Sequence, residues 1–437
     1  MTRPVRRYLM ALVAMVAAAC GGTAVPDTEV ERPVSSATVA EARSEATRIL
    51  PTELDGLQAA MDAIAAAFAD ADPDALRPYL HEPNSEFGQR WLARAGNLAE
   101  VPLAHYALEV DPSLPDLATD RVRERYGEDA RVVYVVEEHA LEEFDELGPA
   151  YEDMFLTVIP DGDGDWVVAG DEDAEPLGLV TVDHLWDHGP VTTTRQGPIL
   201  ALHHPGTRNL PAVVSEAVGA MEEVRRNWPL SWPGQVPMIV PRSQDELAEL
   251  LHVTFDLSNF IAFATATPKS ELGTYELTGS RIVINPDRFL DRASSTRRSI
   301  LAHELLHVAT RRVSGPMVPS WLEEGVAQAL GEDRSTTGTR LLSALVVRGF
   351  DGSLPTDSDF TTGGRDNIFL SYQKSWSFVE YLRGRFGDEQ VARFYESAGR
   401  GAVGEPGTEA WHVSRAAREV FGVPLADLQA AWRDSLG

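Results

Sequence analysis

Residues 300–310 read ILAHELLHVAT and place two histidines, His303 and His307, four positions apart in an apolar run. Because an α-helix completes a turn in about 3.6 residues, both imidazoles stand on one helical face. Their nitrogens can then bind one Zn²⁺ ion, and Glu304 between them can take a proton from a water molecule at the metal. The stretch therefore predicts a helix that carries part of a zinc site.

A second stretch, PSWLEEGVA at residues 319–327, follows this helix. Ser320 and Glu323 have the spacing of a capping box at a helix start, which gives Glu323 a structural role and leaves Glu324 free. Two helices joined by a short turn run antiparallel, so Glu324 can return to the height of the histidines. Two histidines and one glutamate make three protein ligands, and a fourth position stays open, as catalytic zinc requires.

The two stretches together, HELLHVAT and PSWLEEGVAQ, resemble the peptidase-MA-like domain of the gluzincin zinc metallopeptidases, which are related to aminopeptidase N and thermolysin. The resemblance covers roughly residues 195–437 and continues in residues 372–382 and 421–432. It implies that Glu324 is the third metal ligand and that Glu304 is the general base. The implied activity is hydrolysis of peptide bonds in a peptide or protein substrate.

The same resemblance implies an oxyanion donor, for which Tyr372 is the candidate, because a tyrosine in the corresponding helix often faces the metal in gluzincins. The alternative is that Tyr372 packs in the core like its aromatic neighbours. Residues 282–285 form either an edge strand that pairs with an extended substrate or, in the favoured interpretation, an interior strand. No obvious acidic set for a free amino terminus stands near the motif, which favours an endopeptidase.

Two other functions remain open from the sequence. One is a catalytically silent, zinc-bearing module that acts as a scaffold, although the presence of Glu304 weighs against it because a structural site needs no base there. The other places the function in the N-terminal half, as a binder of a small ligand or a partner.

The N-terminus has the pattern of an export signal. Arginines at positions 3, 6 and 7 precede an apolar segment at residues 8–18 that is too short to span a bilayer. The following AAACGG resembles the lipobox of bacterial lipoproteins, although Ala17 stands where leucine is more common. We expect a signal peptide at 1–19, a lipid on Cys20, a tether at 20–45, and a position on the extracytoplasmic face of the cell membrane. Cleavage by an ordinary signal peptidase would instead give a secreted protein.

The net charge limits the possible classes of partner, and the cysteine content limits the possible disulfide bonds. The formal net charge of −29 argues against a nucleic-acid partner, because phosphate backbones bind basic surfaces. Cys20 is the single cysteine, so an internal disulfide bond is excluded. The oligomeric state is left open.

Residues 46–176 are predicted to form an α+β domain. Leu57, Met61, Ile64 and Phe68 line one face of a helix, and strand-like runs follow at 105–110, 131–136, 154–159 and 166–169. This order resembles the cone-like nuclear transport factor 2 (SnoaL-like) fold, on the segments AAAFADADPDAL at 65–76 and GDGDWVVAGDED at 162–173.

Residues 177–437 are predicted to form the metallopeptidase-like domain, with a small mixed sheet followed by a mostly helical half. Strand patterns lie at 197–202, 236–241 and 279–286, and helical patterns at 210–227 and 244–251. The fold class expected for the whole chain is therefore α+β.

Two further histidine pairs occur in the chain. His184 and His188 are four apart, but Gly189 and Pro190 follow at once, so a metal site on this pair is disfavoured. His203 and His204 precede a proline and are predicted to lie in a surface loop.

Overall fold

The computed structural model describes residues 49–162, 164–252, 257, 260–271, 274–331, 352–360, 364–400 and 408–436. The predicted signal peptide at 1–19, Cys20 and the whole tether at 20–45 precede these ranges, so those expectations lie outside the described residues. Within the described ranges, no helix has both the length and the apolar character that crossing a membrane requires.

The N-terminal half packs helices on a four-stranded antiparallel sheet. Its helices are α1 (Pro51–Ala69), α2 (Pro73–Leu76), α3 (Glu86–Asn97) and α4 (Asp120–Tyr126). Its strands, in the spatial order β1-β2-β3-β4, are β1 (Leu103–Val110), β2 (Arg131–Leu141), β3 (Ala150–Pro160) and β4 (Trp166–Gly170). The four predicted strands are all present, and α3 and α4 are additional elements.

Both faces of this first sheet are buried, and the alternation of side chains along β2 shows how. Val133 and Val135 face α1 and α3, whereas Val132 and Tyr134 belong to a second cluster on the opposite face. Odd-numbered residues of β2 therefore point towards the α1–α3 side, and the strand continues in that register to its end at Leu141.

The second half contains a five-stranded mixed sheet in the order β5-β6-β7-β9-β8. Its strands are β5 (Thr192–Gln196), β6 (Ile199–His203), β7 (Val236–Val240), β8 (Ala262–Glu271) and β9 (Thr274–Ile284). The central pairs β6/β7 and β7/β9 are parallel, and the outer pairs are antiparallel. Residues 282–284 lie in β9 between β7 and β8, so the interior interpretation is correct, and the two edge strands are β5 and β8.

Most helices of the second half cover one face of this sheet. The helices of this half are α5 (Leu210–Asn227), α6 (Gln244–Leu250), α7 (Pro286–Phe289), α8 (Ser294–Thr310), α9 (Ser320–Gly331), α10 (Gly364–Phe386), α11 (Asp388–Gly399), α12 (Glu409–Phe421) and α13 (Leu425–Ser435). Helix α6 instead packs on the opposite face through Leu247, which contacts Phe263 and Val283. One apolar cluster joins the sheet to α5, α8, α9 and α10. The described residues form both helices and sheets with antiparallel pairing, and the C-terminal part is helical, so the predicted α+β class is confirmed.

The opposite face of the second sheet packs against the N-terminal half. Leu200 and Leu202 of β6 join the same apolar cluster as Phe68 and Trp91. At the rim, Gly279 donates its amide to the carbonyl of Gly148 at 3.1 Å. The second sheet is therefore a layer between the N-terminal half and the C-terminal helices.

The pair His203–His204 departs from the prediction of a surface loop. Both side chains are buried, and His203 is the last residue of β6. His204 Nε2 lies 2.7 Å from Glu246 Oε1, and its Nδ1 lies 2.8 Å from the carbonyl oxygen of Pro190. The loop prediction is wrong because the proline that follows ends a buried strand and does not begin an exposed segment.

Candidate metal centre

Helix α8 places the two histidines of the motif side by side. Their Nε2 atoms are 3.1 Å apart, and the rings meet edge to face with centroids 4.8 Å apart. The helix is buried from Ile300 to Thr310, because it lies between the second sheet and the other helices. Residues four apart thus deliver two imidazole nitrogens to one point, as the spacing predicts.

Helix α9 brings the third predicted ligand to the same point. Glu324 Oε2 lies 3.2 Å from His303 Nε2 and 3.6 Å from His307 Nε2. Ligand atoms at about 2.05 Å from a tetrahedral zinc ion are about 3.3 Å from one another. The three observed separations scatter around that value, so the triangle formed by His303, His307 and Glu324 already has the size of one face of a zinc tetrahedron.

Two glycines allow α9 to approach its neighbours this closely. A methyl group at Gly331 would lie 2.8 Å from the carbonyl oxygen of Ala302 on α8. A methyl group at Gly325 would lie 2.7 Å from the carbonyl oxygen of Ser375 on α10. Backbone contact on both sides holds α9 between α8 and α10, which sets the position of Glu324.

Glu323 does not close the capping box that the sequence predicts. Its carboxylate accepts hydrogen bonds from Ser314 Oγ at 3.2 Å and from Tyr395 Oη at 3.4 Å. The amide of Ser320 is instead donated to Asp357 Oδ1 at 2.8 Å. Glu324 faces the histidines as predicted, but the reason is that Glu323 is hydrogen-bonded to the hydroxyl groups of Ser314 and Tyr395.

Glu304 lies beside the triangle and is fully buried. Burial raises the pKa of Glu304 to about 8. Neither oxygen makes a well-aligned hydrogen bond to the described residues, although the backbone of Ala264 on β8 lies beside it. Arg311 donates to the carbonyl of Ala264 at 2.8 Å and ties the edge strand to the end of α8. Such a carboxylate has a proton affinity suited to general base and acid work near neutral pH.

The pKa shifts of Glu324 and His307 favour the protonation states that bind a cation. Burial would raise the pKa of Glu324, but His307 and His303 outweigh it and lower that pKa to about 2. Burial lowers the pKa of His307, which keeps its ring neutral at pH 7. An ionised carboxylate beside a neutral imidazole is the form in which these groups bind metals.

Tyr372 lies on α10 and is buried. Its ring packs edge to face against Phe360, with centroids 5.3 Å apart. This contact gives Tyr372 a packing role, and its predicted role as oxyanion donor stays a prediction.

The residues present fit a zinc ion. Two imidazole nitrogens and one carboxylate oxygen are the donors that catalytic zinc uses. Glu324 Oε2 is buried and makes no well-aligned hydrogen bond among the described residues, although both imidazoles lie within ion-pair distance of it, and this arrangement would be unfavourable without a cation. Zinc would satisfy this oxygen and both facing nitrogens at once.

A second group with metal-ligand chemistry lies in the N-terminal half and consists of Glu137, His139 and His184. His184 does not pair with His188, whose ring is instead 3.3 Å from Glu249. The sequence analysis missed Glu137 and His139. The available signal was their spacing of two on a predicted strand, which puts both side chains on one face.

No protein-family model matches the chain, and no curated protein matches its sequence. The resemblance to gluzincins therefore rests on the quoted residues, and the geometry above is an independent argument for a metal site.

Proposed function

We propose that the protein is a zinc-dependent peptidase that hydrolyses peptide bonds at the His303–His307–Glu324 centre. The observation that carries the proposal is Glu304, a fully buried carboxylate next to the three ligands. A purely structural zinc site has no use for an unpaired acid at this place. The N-terminal signal supports an extracytoplasmic location with a lipid anchor at Cys20.

Each residue has a distinct task in this proposal. His303, His307 and Glu324 would hold the ion, and zinc would polarise the substrate carbonyl and acidify a water molecule. Glu304 would accept the proton of that water and pass it to the leaving amine. Its pKa of about 8 in the metal-free protein would fall beside a bound cation, so that it is ionised when a proton must be taken.

A second candidate is a catalytically silent zinc module, and one observation favours it. The three ligands are at most 4% exposed, and closed coordination is typical of structural sites. In that case the metal would fix α8 to α9, and the function would lie elsewhere in the chain.

The substitution Glu304→Gln separates the two candidates because it keeps size and polarity but removes the base. We expect Glu304→Gln to contain as much zinc as the wild-type protein, whereas its turnover of a quenched-fluorescent peptide library should fall by at least about 100-fold. Zinc content is read by elemental mass spectrometry on the same samples. Glu249→Gln, at an exposed glutamate, is the matched control and should leave turnover unchanged.

Equal cleavage by the wild-type protein and Glu304→Gln would overturn the peptidase proposal. So would a zinc-loaded wild-type protein that cleaves no member of the library, and that result would support the silent module.

A further inference from the structure

Glu137, His139 and His184 converge from two segments at the boundary between the two halves. His184 Nε2 lies 3.0 Å from Glu137 Oε1, and His139 Nδ1 lies 3.8 Å from the same oxygen. All three atoms lie within 4.8 Å of one another. The size of this triangle approaches that of the HExxH centre and requires only small side-chain adjustments to surround one ion.

None of the three facing atoms makes a well-aligned hydrogen bond among the described residues, although His184 Nε2 and Glu137 Oε1 lie within ion-pair distance. Glu137 is fully buried, and His139 is 5% exposed. Leaving such groups without a partner is unfavourable in a protein interior. A cation at the centre of the triangle would satisfy all three atoms together.

Surrounding residues hold the three side chains in place. Arg94 donates to the other oxygen of Glu137 at 2.7 Å and pairs with Asp187 at 3.0 Å. Asp187 accepts the amide of His184 at 2.7 Å, so a single arginine is linked to both segments. The ring of His184 stacks on Trp186 with centroids 4.6 Å apart. Outer contacts of this kind orient the ligands of metal sites.

The group opens on one side into a cavity of about 450 Å³ between the halves. His139 and His184 line it, as does Glu152, which is the cross-strand partner of Glu137 on β3. Arg281 and Thr265 of the second sheet form part of the opposite wall. A fourth ligand, either Glu152 or a small molecule in the cavity, can therefore approach the triangle from this side.

We propose that Glu137, His139 and His184 form a second binding site for a divalent transition metal of the zinc class, with its fourth position directed into the interdomain cavity. Two imidazoles and one carboxylate select borderline metals such as Zn²⁺ over Mg²⁺ or Ca²⁺, which prefer oxygen ligands alone. The site is independent of the HExxH centre, since none of its three residues belongs to α8 or α9.

The test is the zinc content of the purified protein after reconstitution and dialysis, measured by elemental mass spectrometry. We expect about two ions in the wild-type protein and about one in His139→Gln and in His184→Gln. The double variant His303→Gln/His307→Gln should also retain about one ion, which would be bound at the second site. His105→Gln, which alters an exposed histidine on the neighbouring strand β1, should retain two.

A second measurement guards against loss of metal through unfolding. In the His303→Gln/His307→Gln background, added Co²⁺ should give the visible absorption of a low-symmetry site with nitrogen ligands, and adding His139→Gln should remove it while the far-ultraviolet circular dichroism stays unchanged. The proposal is overturned if folded His139→Gln and His184→Gln bind as much zinc as the wild-type protein, or if the HExxH double variant binds none. Neither outcome depends on peptidase activity, so failure here leaves the proposed function standing.

Discussion

Glu323 and Glu324 are adjacent in the chain but lie in opposite electrostatic environments. Burial raises the pKa of Glu323 to about 7, whereas His307 and His303 outweigh burial and lower the pKa of Glu324 to about 2. Successive residues of a helix point about 100° apart, so one carboxylate meets the histidines while the other meets Ser314 and Tyr395. Only Glu324 is both ionised and directed at the predicted ion.

This contrast predicts the effect of the same substitution at the two positions. Glu324→Gln removes a charged ligand and should weaken zinc binding at the HExxH centre by at least about 100-fold. Glu323→Gln should leave the affinity within about threefold of the wild-type value. Competition with a chelating dye, in a His139→Gln background that removes the second proposed site, measures both. Equal losses in the two variants would contradict the assignment of Glu324.

Single residues were predictable where one helix fixes their relation. His303, Glu304 and His307 follow from helical spacing alone, and their positions match the prediction. Glu324 was placed correctly through a wrong argument, because the hydroxyl pair that holds Glu323 includes Tyr395, which lies 72 residues away along the chain. A local pattern contains no information about such a partner.

Among the helices and strands, α9 is the one that sets the geometry of the metal centre. It is in backbone contact with α8 at Gly331 and with α10 at Gly325. A side chain at either position would push α9 away from one neighbour and move Glu324 from the histidines. The short distances from α9 to α8 and α10 are explained by the missing side chains of the two glycines, without a metal ion.

Gly325→Ala should therefore destabilise the protein by about 1–3 kcal/mol, because the added methyl group would lie 2.7 Å from both Ser375 O and Val379 Cγ2. Gly384→Ala, on the exposed side of α10, meets no atom within 4 Å and should stabilise by about 0.5–1 kcal/mol. Urea unfolding followed by circular dichroism gives both values. Equal effects of the two substitutions would refute close packing at Gly325.

Helices and strands with a regular spacing of apolar residues were predictable from the sequence, and those without such spacing were not. Helix α5 runs from Leu210 to Asn227 as predicted, with buried residues at helical spacing. Strand β8 was missed because its Ala-Thr alternation is weakly apolar and Pro268 interrupts it. Strand β8 lies at an edge of the sheet, where a proline is tolerated because one side of the strand has no neighbour to accept its missing amide hydrogen.

For the whole molecule, the decisive feature is that the two halves share apolar and ionic contacts. Asp145 of the N-terminal half forms a buried pair with Arg281 of β9, with one bond of 2.8 Å. Gly279 has a positive φ of 56° and lies so close to Ala150 that a methyl group would be 2.5 Å away. These contacts form a rim around the interdomain cavity.

Asp145→Asn should destabilise the protein by about 3–5 kcal/mol, because it leaves Arg281 buried without its charged partner. Glu143→Gln alters the nearby but exposed pair with Arg195 and should change the stability by less than about 1 kcal/mol. Urea unfolding monitored by tryptophan fluorescence gives both values. A cost below 1 kcal/mol for Asp145→Asn would mean that the rim does not contribute to docking.

The α+β class of the molecule followed from the order of its elements, but the joining of its halves did not. Glu137 and His184 are 47 residues apart, and they meet only because α3, through Arg94, holds both segments. The cavity has walls from strands of both sheets. Contacts of this kind depend on tertiary packing, which periodicity along the chain does not encode.

A metal ion that joins α8 to α9 would also restrict the conformations of the unfolded chain. A metal bound to His307 and Glu324 would close a loop of 17 residues, in a protein whose single cysteine excludes an internal disulfide. In the chain-entropy picture, a cross-link over that length stabilises by about 3 kcal/mol through the conformations it denies the unfolded state. Zinc would then act as a reversible cross-link, and the availability of the ion would set how stable the folded protein is.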